Sequence, residues 1–202
     1  MSGGPSDRDM VREFIAFRLA QAGYAWPRRS SPESDEPQPV RTGIPSSQPG
    51  TAQRCLRAAA AEFERRYRRA FSALPPQLGP ASPGALRGRL VHVLAELFAE
   101  GVNWGRVVAF FVFGAALCAE SAEKAAPAHV DSLASCMSDY LDNELQPWID
   151  ANGGWEAFVE LYGSGMAHEQ PAQDNMWPSL QAVLGLAAVG ACLTVGALMA
   201  HK

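Results

Sequence analysis

Thirteen consecutive uncharged residues, Val107 to Ala119 in the run WGRVVAFFVFGAALCAES, constrain this chain more than any other feature. Apolar side chains fall on every face of the helix they would form, so that helix has no side fit for water. The run is too short to cross a hydrocarbon core of ~30 Å. It predicts a buried central helix with other helices packed around it. Asn103 stands where a residue capping its first turn should stand.

The flanking segments have the pattern needed to surround such a helix. In 7–24, Val11, Phe14, Ile15 and Leu19 recur at helical spacing, Arg12, Glu13 and Arg18 lie off that stripe, and Gly23 ends it. In 52–74 the stripe is Leu56, Ala59, Ala60, Phe63, Tyr67, Ala70, Phe71 and Leu74, stopped by Pro75-Pro76. Its outer arginines alternate with Glu62 and Glu64 in an acidic chain, which reads as a solvated face. A third amphipathic helix covers 86–100, with Leu90, Val93, Leu94, Leu97 and Phe98 inward and Gly101 at its end. Residues 129–145 predict another helix, broken at Pro147 and followed by a short turn. After Gly153-Gly154, Trp155 to Tyr162 predicts a last short helix. No alternating β-branched run with hairpin signals occurs, so the class is all-α.

Residues 27–50 hold six prolines and five serines in 24 positions and no aromatic residue. Such a stretch cannot bury enough apolar surface to offset its ordering entropy, and a disordered loop is expected. Ser31-Pro32 reads as a phosphorylation site or as a plain solvated linker pair. Leu180 to Ala200 contains no charge over 21 residues, and only His201 and Lys202 follow. At 1.5 Å per residue this just crosses a bilayer, which favours a membrane anchor over a buried final helix.

Composition closes off several functions. With 17 basic against 21 acidic residues the net charge is −4, and no basic run suits a phosphate backbone, so nucleic acid is not an expected partner. The start is polar and has no secretory h-region. Cys55, Cys118, Cys136 and Cys192 form no Cys-x-x-Cys pair and read as reduced, packed thiols of an intracellular protein. The four histidines match no zinc spacing, and no phosphate-cradling glycine motif occurs. Neither catalysis nor a metal or other cofactor is expected.

The residue out of place is Arg106, one turn into the most apolar helix. A guanidinium there must reach a surface or meet a carboxylate. It would serve as the one polar anchor of an apolar trough suited to an amphipathic helix. Alternatively it pairs with an internal acid such as Glu96. The residues themselves leave the two readings open.

Four stretches then resemble the homology motifs of the Bcl-2 family, in the family's order. ELFAEGVNWGRVVAFFVFGAALCAES (96–121) is similar to the first, with Asn103-Trp104-Gly105-Arg106 as its signature, and QPWIDANGGWEAFVELYG (146–163) to the second. LRAAAAEFERRYRRAF (56–71) resembles the third and VREFIAFRLAQAGYAW (11–26) the fourth. The resemblance covers nearly the whole chain and points to the pro-survival branch. It implies about eight helices around the central one, plus a C-terminal transmembrane tail. The corresponding units are an N-terminal helix in 1–26, the loop 27–50, a bundle core 51–165, a linker 166–178 and a tail anchor 179–202.

The resemblance also implies a groove bordered by the helices of 52–74, 86–100 and 104–121. Its residues would be Phe63, Tyr67, Phe71, Leu74, Val93, Glu96, Leu97, Asn103, Gly105, Arg106, Val108, Ala109, Phe113 and Tyr162. Helix-in-groove binding by this family is itself a familiar instance of that recognition mode. The implied partners are amphipathic helices of pro-apoptotic relatives, with homo- or heterodimers and the membrane besides. The implied location is the mitochondrial outer membrane, with endoplasmic reticulum and cytosolic pools and the domain facing the cytosol. Trp104, Trp148 and Trp155 read as packing residues. The third motif departs from the family's Leu-x-x-x-Gly-Asp pattern, since Ala60 and Ala61 follow Leu56 at those positions. Ala60 keeps a small residue at the packing position. Ala61 removes a carboxylate, which weakens any role of 52–74 as a ligand for other members and leaves a receptor groove untouched. The alternatives are a pore-forming executioner of the same fold and a tail-anchored scaffold with no death role. The scaffold requires Arg106 to be internally paired.

Overall fold

The computed structural model describes residues 7–26, 50–72, 83–123 and 127–163. Seven α-helices occur among them: α1 (Asp7–Gln21), α2 (Thr51–Ser72), α3 (Pro83–Leu97), α4 (Trp104–Glu123), α5 (Pro127–Tyr140), α6 (Gln146–Ala151) and α7 (Gly154–Gly163). A π-helical turn, Leu141–Leu145, joins α5 to α6. The all-α expectation holds. The loop and the tail lie outside the described residues.

α4 is the axis. Its residues Trp104 to Val112 are buried without interruption, and α1, α2, α3 and α5 all pack against it. Each large apolar side chain buried in this way contributes roughly 1.5–3 kcal/mol relative to exposure. Counted whole, α4 is 20 residues long and apolar enough to cross a membrane, although the uncharged run inside it is not. Its place at the centre of the bundle accounts for that apolarity.

The neighbours bury the stripes their periodicity predicts. Met10, Val11, Phe14, Ile15 and Leu19 of α1 are fully buried, and Phe14 meets Phe111 of α4 edge-on at 5.4 Å between ring centres. On α2 the buried stripe is Cys55, Leu56, Ala59, Ala60, Phe63 and Tyr67, while Glu62 and Arg65 pair on the outside. Gln53, also buried, donates to the carbonyl of Met10 at 2.8 Å and ties α2 to α1. Arg18 of α1 pairs with Glu64 of α2 nearby. Cys55, Cys118 and Cys136 are free buried thiols, as expected, and Cys192 lies outside the described residues.

Pro147 does not end a helix. It sits in the first turn of α6, where its missing N–H costs nothing. The helix adjusts just before it. In an α register, Pro147 would give Asn143 no hydrogen bond and its ring would strike that carbonyl. The chain widens by one residue instead, and the N–H of Gln146 donates to the carbonyl of Leu141, the spacing of a π-helix. The expected turn after Pro147 is therefore a continuing helix. Gly153 and Gly154, at φ +88° and +66°, then reverse the chain into α7.

Candidate functional site

The start of α4 sets Asn103 and Arg106 at the head of a long apolar run. Asn103 caps it: its Oδ1 accepts the backbone N–H of Arg106 at 2.8 Å, and its carbonyl accepts that of Val107 at 2.9 Å. Helix side chains lean toward the N-terminus, so the Arg106 guanidinium points back over the turn that leads into α4. That turn is set by Gly101, whose φ of +96° few other residues adopt. Nη1 of Arg106 donates to the carbonyl of Gly101 at 2.7 Å, and Nη2 to Oε2 of Glu100 at 2.5 Å.

The Arg106–Glu100 pair is lopsided. The Arg106 side chain is 10% exposed and that of Glu100 is 79% exposed. The guanidinium also lies at the positive end of the α4 dipole, where a cation is disfavoured and an anion is welcome. Glu100 thus answers two needs, and it does so from water. Arg106 is internally paired, but with Glu100 and not with Glu96. Glu96 is exposed on the last turn of α3. The signal in the sequence was the Glu100-Gly101 pair. A glycine that turns the chain back under the next helix carries the residue before it toward that helix's start.

Aromatic packing holds this corner still. Trp104 meets Trp148 of α6 at 5.1 Å, and Trp155 and Phe158 of α7 at 5.9 and 5.2 Å. Such pairs contribute about 0.5–1.5 kcal/mol each beyond area burial. The three tryptophans are packing residues, as expected. Tyr162 continues the cluster at 4.6 Å from Phe158, and burial pushes its phenol well above its ordinary pKa.

The other candidate residues divide by depth. Phe63, Tyr67, Leu97, Val108 and Ala109 belong to the core, and Gly105 is buried beside them. Val93, Asn103, Phe113 and Tyr162 are half-buried, and Glu96 is exposed. Ring contacts join Phe63 to Tyr67 at 4.6 Å and to Phe113 at 6.3 Å, so α2 and α4 meet through three of the candidates. Phe71 lies on α2 by its backbone, and its side chain is outside the described residues, as is Leu74 altogether. Ala61, where the family's third motif has a carboxylate, is exposed.

The model of the Bcl-2 family, apoptosis regulator proteins, matches residues 56–155. The chain is 40% identical to apoptosis regulator Bcl-2 of Canis lupus familiaris, across 98% of this chain and 97% of that protein. It is 39% identical to Bcl-2-like protein 1 of Rattus norvegicus, across 81% and 85% respectively. It is 48% identical to apoptosis regulator R1 of Xenopus laevis, across 73% of this chain and 65% of that protein. The chain belongs to the Bcl-2 family of apoptosis regulators. The resemblance drawn from the four motifs, to the pro-survival branch, is borne out by these relatives.

Proposed function

We propose that this chain restrains cell death by holding the amphipathic helix of a pro-apoptotic relative against α2, α3 and α4, and so prevents permeabilisation of the mitochondrial outer membrane. Family membership supports other Bcl-2 relatives as the class of partner and membrane-associated regulation as the setting. The observation that carries the reading is Arg106, a buried cation at the start of α4 whose carboxylate partner stands in solvent. In this reading Phe63, Tyr67, Leu97, Val108 and Ala109 form the floor, Val93, Phe113 and Tyr162 the walls, and an aspartate of the incoming helix meets Arg106. Gly105 leaves room for the two backbones to approach. Leu180–Ala200 anchors the domain on the cytosolic side of the outer mitochondrial membrane, with pools on the endoplasmic reticulum and in the cytosol.

Two measurements test it. Added to liposomes with a pore-forming relative, the protein blocks dye release; release caused by the protein alone supports an executioner instead. In a pull-down with a panel of partner helices, Arg106→Ala weakens capture of the aspartate-bearing ones tenfold or more, since losing one partner of a desolvated pair costs about 2–5 kcal/mol. Equal capture by wild type and variant would favour the plain scaffold.

A further inference from the structure

Resting on that reading, the geometry points to Glu100 as an exchangeable internal counterion, one that competes with a partner's carboxylate for Arg106 and so sets how strongly the site discriminates acidic from neutral helices. The two ends of the pair differ in what they can do. Arg106 cannot leave: its side chain is 10% exposed, and its Nη1 is held by the Gly101 carbonyl at 2.7 Å. Glu100 can. It lies in the turn between α3 and α4, its side chain is 79% exposed, and it regains full hydration on swinging away.

The contact is also incomplete. Nε and Nη2 lie along one edge of a guanidinium and together present the fork that a carboxylate fills with both oxygens. Here a single oxygen of Glu100 takes Nη2, and Nε has no hydrogen-bond partner among the described residues. A carboxylate arriving from a partner is free of the tether that fixes Glu100 six residues from Arg106, so it can approach the same edge to take Nη2 and, with local opening around the buried Nε, that position as well. At rest Glu100 keeps the buried cation satisfied, and on binding the better-fitting acid displaces it. The apparent affinity for an acidic helix is reduced by the fraction of time Glu100 occupies the edge. A neutral helix brings no acid to displace Glu100, which stays on Arg106 and keeps the cation compensated, so Glu100 narrows the difference between acidic and neutral helices.

The test uses the full 202-residue chain and two fluorescent amphipathic peptides of ~20 residues from a pro-apoptotic relative, one with its aspartate and one with asparagine there. Affinity for each is measured by anisotropy for wild type, Glu100→Gln, Glu100→Asp and a field control, Glu144→Gln, an exposed acid on the π-helical turn. Glu100→Gln raises the aspartate-over-asparagine preference by about three- to tenfold, the range for a partly exposed pair. Glu100→Asp falls between it and wild type, and Glu144→Gln stays within about twofold of wild type. Equal effects of Glu100→Gln and Glu144→Gln would mean a general charge effect and would overturn the exchange. A lower preference in Glu100→Gln would overturn it also, since Glu100 would then be supporting the bound state. The groove reading fails separately, through Arg106→Ala binding the aspartate peptide as wild type does.

Discussion

Arg106 is a charge whose removal should cost binding far more than folding. Truncating one member of a buried pair destabilises by about 3–5 kcal/mol because the other is left stranded. Here the remaining member would be Glu100, already in water. Arg106→Ala should therefore lower stability by no more than about 1.5 kcal/mol, mostly through the lost bond to Gly101, as read by urea denaturation. A larger loss would make Arg106 a structural residue first. Cys118 is the opposite case, a group with no partner to exchange. Burial pushes its thiol from 9.0 up to about 12, so the native state holds its proton where the unfolded chain releases it. Its contribution is therefore intact below pH 9 and is lost as the pH rises toward 12. Between pH 8 and 10.5 wild type should lose more stability than Cys118→Val, and Cys118 should resist alkylation until the bundle opens. Rapid labelling of native Cys118 at pH 8 would contradict this.

Contact between α4 and α5 depends on a missing side chain. A Cβ on Gly114 would stand 2.2 Å from Sδ and 2.3 Å from Cε of Met137. These atoms are the mobile end of a flexible chain, so Gly114→Ala needs only a rotation of Met137. Gly114→Leu has nowhere to go and should push the helices apart, at roughly 1–3 kcal/mol. Combining it with Met137→Ala should recover part of that loss in thermal unfolding. An unchanged melting temperature in Gly114→Leu would show the interface to be looser than the distances imply. The π-helical turn belongs to this scale as well. It joins α5 to α6, whose Trp148 meets Trp104 at 5.1 Å between ring centres.

At the scale of the whole molecule, the buried apolar residues among those described all lie on α1 to α7 and the π-helical turn, and the case for 27–50 as a linker rests on its composition. Deleting 27–50 should leave the melting temperature and partner affinity nearly unchanged. A fall of several degrees would show packed structure where the composition predicts a linker. The proposed anchor and the proposed site also bear on one another, because an apolar tail outside the membrane needs somewhere to bury itself. If the tail lies against the groove, removing 180–202 should strengthen partner binding, and a tight partner helix should raise the membrane-bound fraction. Equal affinities of truncated and full-length protein without membrane would make the tail an anchor and nothing more.

Periodicity determined the helices and what each one buries. A 3.6-residue stripe containing Phe14, Leu56 or Leu90 is a local pattern, as is the unbroken apolar run around Phe110, and burying either satisfies the same hydrophobic force in any bundle of this kind. Asn103, Gly101 and Gly153-Gly154 were legible for a like reason, since a cap or a left-handed turn is a property of a few consecutive residues. Arg106 stood out because a charge inside an apolar run demands a partner. Which acid answers it was beyond the sequence. Glu96 and Glu100 both lie within reach along the chain, and only the path through Gly101 puts Glu100 on Nη2 while leaving Glu96 on the outer face of α3. The same holds for the fit of Gly114 against Met137 and for the meeting of Trp104 with Trp148 and Trp155. Each depends on the offset between elements distant along the chain, and side-chain packing sets that offset once the helices are together, by excluding every arrangement in which two atoms would share a place.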